Sequence, residues 1–138
     1  MKNIKYVGVI VILALFTMSF YPNTTNNSTA EETSVRADSV LRHVVLFKFK
    51  DGTAAEDIKK VEDAFSALPS KIPQIKGYEW GTNNSPEGLD KGLTHCFFLT
   101  FKSEEDRAIY LPHPDHKAFG DVLGPHLDDV LVLDYWTK

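Results

Sequence analysis

Leu41–Lys50, LRHVVLFKFK, is β-branched and aromatic without a breaker and reads as a strand. Successive side chains in a strand alternate faces, so Val44 and Leu46 point one way and Val45, Phe47 and Phe49 the other. An antiparallel strand with one wet face alternates apolar with polar residues. This one is apolar on both faces. Leu93–Lys102, LTHCFFLTFK, repeats the pattern, with Phe97, Leu99 and Phe101 opposing Cys96 and Phe98. Val130–Thr137 does so again, Leu131, Leu133 and Tyr135 opposing Val130, Val132 and Trp136.

The segments between these strands supply helices. Asp51-Gly52 turns the chain, and Thr53 with Glu56 has the T-x-x-E spacing of a capping box. Ile58, Val61, Phe65 and Leu68 recur at helical spacing until Pro69, the expected stop. Tyr78–Thr82 reads as a short strand and Asn83–Gly92 as a loop. Ser103 and Asp106 open a second helix to about Leu111. Pro112 and Pro114 break it, and a further helical segment runs to Leu123 before Gly124-Pro125. The order βαββαβ is that of a ferredoxin-like split βαβ α+β domain, a four-stranded antiparallel sheet with helices on one face. Helices cover one apolar face, so the other calls for a second copy, a homodimer through the sheet.

The chain has 138 residues and a formal charge of −4, which argues against a nucleic-acid partner. Its start has a different character. Lys2 and Lys5 precede an apolar run from Tyr6 to Tyr21, followed by the polar tract Pro22–Ala30. Residues 1–30 read as a signal peptide and linker, and 31–138 as the domain. Export to a periplasmic or extracellular space is the expectation, with an uncleaved membrane anchor as the alternative. Removing Lys2 and Lys5 leaves 13 basic and 19 acidic residues, a net of −6. Cys96, the single cysteine, has no partner for a disulfide within the chain and reads as a packed thiol.

Five histidines carry the remaining chemistry. His116 shares a helical face with Phe119, Gly120 and Leu123, which turns it inward. With Pro114 at the first helical position, His116 falls in the first turn, where the helix dipole favours neutral imidazole. Tyr110 ends the preceding segment and is placed to donate to a carbonyl oxygen. A neutral base beside a phenol suits enolisation or aldol-type closure without metal or cofactor. The bland reading makes both polar packing residues. His43 and His95 lie on strands that neighbour each other in a ferredoxin-like order and are expected to share the pocket. His113 and His116, three apart, lack the spacing of a helical metal pair, so no metal site is assigned.

The strand LRHVVLFKFKD, the segment YEWG, the run Tyr110-Leu-Pro-His113-Pro-Asp-His116-Lys-Ala-Phe119-Gly120 and the terminal LVLDY together resemble the stress-responsive dimeric α/β-barrel (Dabb) family over residues 41–138. The resemblance implies a ferredoxin-like protomer whose sheets pack face to face into a dimeric α+β barrel. One enzymatic member is a cofactor-independent plant polyketide cyclase. By that resemblance His116 and Tyr110 stand at catalytic positions, with His43 and His95 beside them. Phe65 stands where the cyclase has a pocket tyrosine, a departure in a ligand-lining position. The implied ligand is a small aromatic or oxo-substituted molecule. The alternatives are a non-catalytic protective stress oligomer and a dimeric-barrel monooxygenase.

Overall fold

The computed structural model describes residues 39–138. The expected signal segment and linker lie outside the described residues. The chain runs through β1 (Leu41–Phe49), α1 (Ala55–Ser66), α2 (Leu68–Lys71), β2 (Gly77–Thr82), β3 (His95–Phe101), α3 (Glu104–Tyr110), α4 (Pro114–Leu123) and β4 (Leu127–Trp136). The four strands form one antiparallel sheet in the order β2-β3-β1-β4, the ferredoxin-like arrangement.

Alternation along β1 and β3 builds the core. Leu41, Val45, Phe47 and Phe49, with Phe97, Leu99 and Phe101, are buried beneath Val61, Phe65, Leu68, Phe119 and Leu123 of the helices. Phe65 anchors this layer, stacked on Phe97 at 4.2 Å between centroids and edge-on to Phe119 at 4.7 Å. The opposite face carries Val44, Leu46, Cys96 and Phe98, half-buried with no helix above them. Gly77 is required where β2 meets β3, because a Cβ there would lie 2.9 Å from the Thr100 hydroxyl.

Three local expectations are corrected. α1 starts at Ala55 behind Ala54, with no side-chain cap. The Thr53 hydroxyl instead donates to the Lys50 carbonyl at 2.7 Å, closing the Asp51-Gly52 turn, so the capping box does not form. Pro69 does not stop the helical segment. It sits in the first turn of α2, where its missing N–H costs nothing. β4 begins at Leu127, ahead of the strand expected from Val130, so Asp128 and Asp129 belong to it, and Asp128 pairs with Lys48 at 2.6 Å. Ser103 does cap α3, its hydroxyl accepting from the Asp106 N–H at 3.2 Å.

β4 lies beyond the helices. It is hydrogen-bonded along one edge to β1, and Asp128–Trp136 are exposed on both faces. Val130, Val132, Asp134 and Trp136 face the helix side, since they pair with Phe47, Val45, His43 and Leu41. Leu131, Leu133 and Tyr135 face the other.

Candidate functional site

Pro114 opens α4, so His116 occupies the first turn of that helix. Its Nδ1 lies 2.9 Å from the Leu111 carbonyl oxygen. A carbonyl only accepts, so Nδ1 carries the proton and the neutral ring keeps its lone pair on Nε2. Partial burial lowers the His116 pKa and outweighs the carbonyl's opposing pull; His43 and His113 lower it further. The ring is thus biased toward the neutral base.

Tyr110 sits 4.3 Å from His116 between ring centroids, at the end of α3. The residue is 1% exposed, and burial raises the phenol pKa, which keeps it protonated and a donor. His43 meets Tyr110 edge-on at 5.7 Å. These three rings form one cluster beneath α3 and α4.

The cluster contains two residues that sequence reasoning missed. His43 Nδ1 lies 2.9 Å from Asp134 Oδ1 of β4, and the same oxygen accepts from Arg107 at 3.0 Å. Partial burial opposes the charged form of Asp134, yet the His43 and Arg107 hydrogen bonds prevail and hold it below the usual carboxylate range. The carboxylate accepts from His43 Nδ1, which turns the opposite edge of that ring toward the cluster. The signal was a lone carboxylate in the apolar run LVLDYW, but its partner emerges only from the β1–β4 register.

His95 does not join them. His43 pairs with Leu99, four residues along β3 from His95, a separation of about 13 Å at roughly 3.3 Å per residue. His95 instead contacts Glu62 at 3.1 Å and the Thr94 hydroxyl at 2.8 Å, with Phe49 edge-on at 5.0 Å. Both ring nitrogens are satisfied, so it ties α1 to the sheet. Phe65 belongs to the packed core and meets the cluster indirectly, through Phe119, which lies 6.3 Å from His116, and through Tyr78, on which it stacks at 5.9 Å.

Two open regions accompany these groups. Val130 and Val132 form an uncovered apolar shelf on the face that carries Asp134. A hollow of about 630 Å³ opens on the opposite side of the sheet, beside the β2–β3 loop, lined by Leu46, Leu89, Leu93, Cys96 and Phe98. Among the described residues no group of three or more His, Cys, Asp or Glu side chains is placed to hold a metal ion.

Comparison with known proteins places the fold in a family. The family model described as the stress responsive A/B barrel domain matches residues 41–137. A stress-response A/B barrel domain-containing protein of Arabidopsis thaliana is 39% identical over 99 residues, 72% of this chain and 91% of the relative. Olivetolic acid cyclase of Cannabis sativa is 30% identical over 98 residues, 71% of this chain and 97% of the cyclase. The solved hydroxynitrile lyase of Passiflora edulis superposes with a TM-score of 0.67 at 26% identity, covering 72% of this chain and 94% of the lyase. A dimeric ferredoxin-like protein of Thermobifida fusca gives 0.60 at 28% identity, covering 70% and 90%. The chain belongs to the stress-responsive A/B barrel (Dabb) domain family.

Proposed function

We propose that this barrel protein binds a small oxo-substituted or aromatic ligand over the His43–Tyr110–His116 cluster and moves a proton there. The observation that carries the reading is the Leu111 carbonyl on His116 Nδ1, which leaves Nε2 as a free base next to the Tyr110 ring. His116 Nε2 takes the proton from a carbon adjacent to a carbonyl. The C–H electrons pass to the carbonyl oxygen as an enolate, and the Tyr110 hydroxyl hydrogen-bonds that oxygen. The enolate carbon then attacks a second carbonyl, whose oxygen takes the C=O electron pair and the proton back from His116, or is itself reprotonated by His116. The apolar part of the ligand rests on Val130 and Val132. The cyclase and lyase relatives support a catalytic use of this fold.

Assembly and location complete the proposal. The protein acts as a homodimer through the sheet face opposite the helices, a reading supported by the dimeric relative and by the apolar residues on that face. The N-terminal thirty residues direct it across a membrane. The test of the site is exchange of the acidic protons of a 1,3-diketone probe for deuterium, followed by NMR. Catalysed exchange that disappears in His116→Ala supports the reading. Equal exchange by wild type and variant would reduce the cluster to packing.

A further inference from the structure

Two contacts align α3 with the helix-side face of β4. Trp136 Nε1 donates to Glu104 at 3.4 Å, and one turn further along the helix Arg107 Nη1 meets Asp134 Oδ1 at 3.0 Å. A turn of α3 is thus matched by two residues of β4, which keeps Trp136 and Asp134 on one face of the strand. The same alignment brings Leu111, four residues after Arg107, level with Val132. These two are 47% and 46% exposed. The seam between helix and strand is therefore charged at Arg107 and apolar at Leu111, and Tyr110 lies between them on α3.

Asp134 does not use up Arg107. A guanidinium has five N–H donors and meets a carboxylate best through two parallel bonds. Here one nitrogen meets one oxygen, and that oxygen already accepts from His43 Nδ1 at 2.9 Å. The charge of Asp134 is divided between two donors, so it offsets that of Arg107 only in part. The Arg107 side chain is 25% exposed and so can be reached from solvent beside the cluster.

We propose that Arg107 binds an acid group of the ligand, which makes the substrate class of this site an oxo acid. The inference rests on the functional reading above. Arg107 and Tyr110 are three apart on α3, a side-chain spacing of about 5–6 Å. A carboxylate on Arg107 thus sets a ketone two or three carbons away beside Tyr110, whose ring is 4.3 Å from that of His116. The apolar end of the ligand lies on Leu111 and Val132. The guanidinium has a second effect. An enolate forming near Asp134 and a bound carboxylate is repelled by both, and the positive charge offsets that repulsion. A neutral diketone gains nothing from Arg107, so the residue selects among ligands that the other three rings would treat alike.

The test compares 3-benzoylpropanoate with its methyl ester, which keeps the ring and the ketone and loses the charge. Calorimetry measures the binding of each to the full-length protein. The acid should bind about 10- to 100-fold more tightly than the ester, the usual worth of a hydrogen bond to a charged group. Added salt should narrow that margin. Arg107→Leu should bring the two probes to equal affinity, and Arg107→Lys should restore part of the difference. An Arg107 that only braces Asp134 would, once replaced, weaken both probes alike and keep their ratio, and that outcome would overturn the proposal. Equal binding of acid and ester by the wild type would also overturn it, and needs no variant to fold. Binding of neither probe, with the 1,3-diketone still exchanged at His116, would overturn the acid assignment and leave proton transfer standing. Acid-selective binding that Arg107→Leu abolishes, with no catalysed exchange of any probe, would support the Arg107 assignment and overturn proton transfer instead.

Discussion

His116 and Tyr110 lie 4.3 Å apart between ring centroids although a proline-broken turn separates their helices. His113 makes that turn rigid. It stands at the N-cap of α4 and its Nδ1 accepts from the Asp115 N–H at 3.2 Å. The His116 ring is then held from behind by the Leu111 carbonyl. A base and a donor are thus fixed by backbone rather than by long flexible side chains.

Removing either partner should affect chemistry before stability. His116→Ala should lower turnover of a diketone-type substrate by about 10² to 10⁴, the usual worth of a positioned general base. Tyr110→Phe should lower it less. Steady-state kinetics beside thermal melting separates the two effects; equal losses of Tm and turnover would count against the assignment.

The pH dependence follows from the His116 shift. Burial lowers its pKa below the ordinary 6.5, so the base form persists into mildly acidic solution. Turnover should rise with pH and level off below 6.5. The unfolded chain binds the His116 proton more readily than the folded one, so stability falls as pH drops from 6.5 to the lowered value and is flat below it. Melting of His116→Gln across that window should lack this component.

Asp134→Asn should leave the sheet intact, because the strand pairing of β4 does not depend on the side chain. It should loosen His43 and lower turnover by about tenfold, equivalent to roughly 1.4 kcal/mol of barrier. The slope of stability in acid should also flatten. The Asp134 carboxylate is held below its usual range, so its contribution is present above the unfolded carboxylate pKa and lost as pH falls through the folded value. NMR of the His43 ring checks the orientation directly.

Phe65→Ala should cost about 3–5 kcal/mol, as for other fully buried aromatics. The loss removes the ring between Phe97 and Phe119 and frees α1 from α4. Denaturant unfolding measures it. A cost under 1 kcal/mol would mean that the site tolerates collapse.

Export is checked at the N-terminus. Mass spectrometry of protein from the exported fraction should show a chain lacking Met1 and the apolar run Tyr6–Tyr21. An intact Met1 on soluble cytosolic protein would contradict the signal reading.

What could be read before the structure was local. Alternation at Val44 to Phe49 assigns two faces because strand periodicity needs no partner. Ser103 could be recognised as a cap because nothing before it competes for its hydroxyl. Thr53 could not, since the preceding turn claims it. Long-range pairing was the barrier elsewhere. Asp134 meets His43 across 91 positions, and Glu62 meets His95 across 33. Both histidines do face the helices. Their offset along the antiparallel register, which parts them, has no local signature.

The outer edge of β4 has a consequence for how the protein is made. A long apolar strand with one unpaired edge is a template for any other strand it meets. A newly folded single copy is therefore sticky until a like copy meets it. Melting temperature should climb with protein concentration, since association with a like copy draws the folded state forward by mass action.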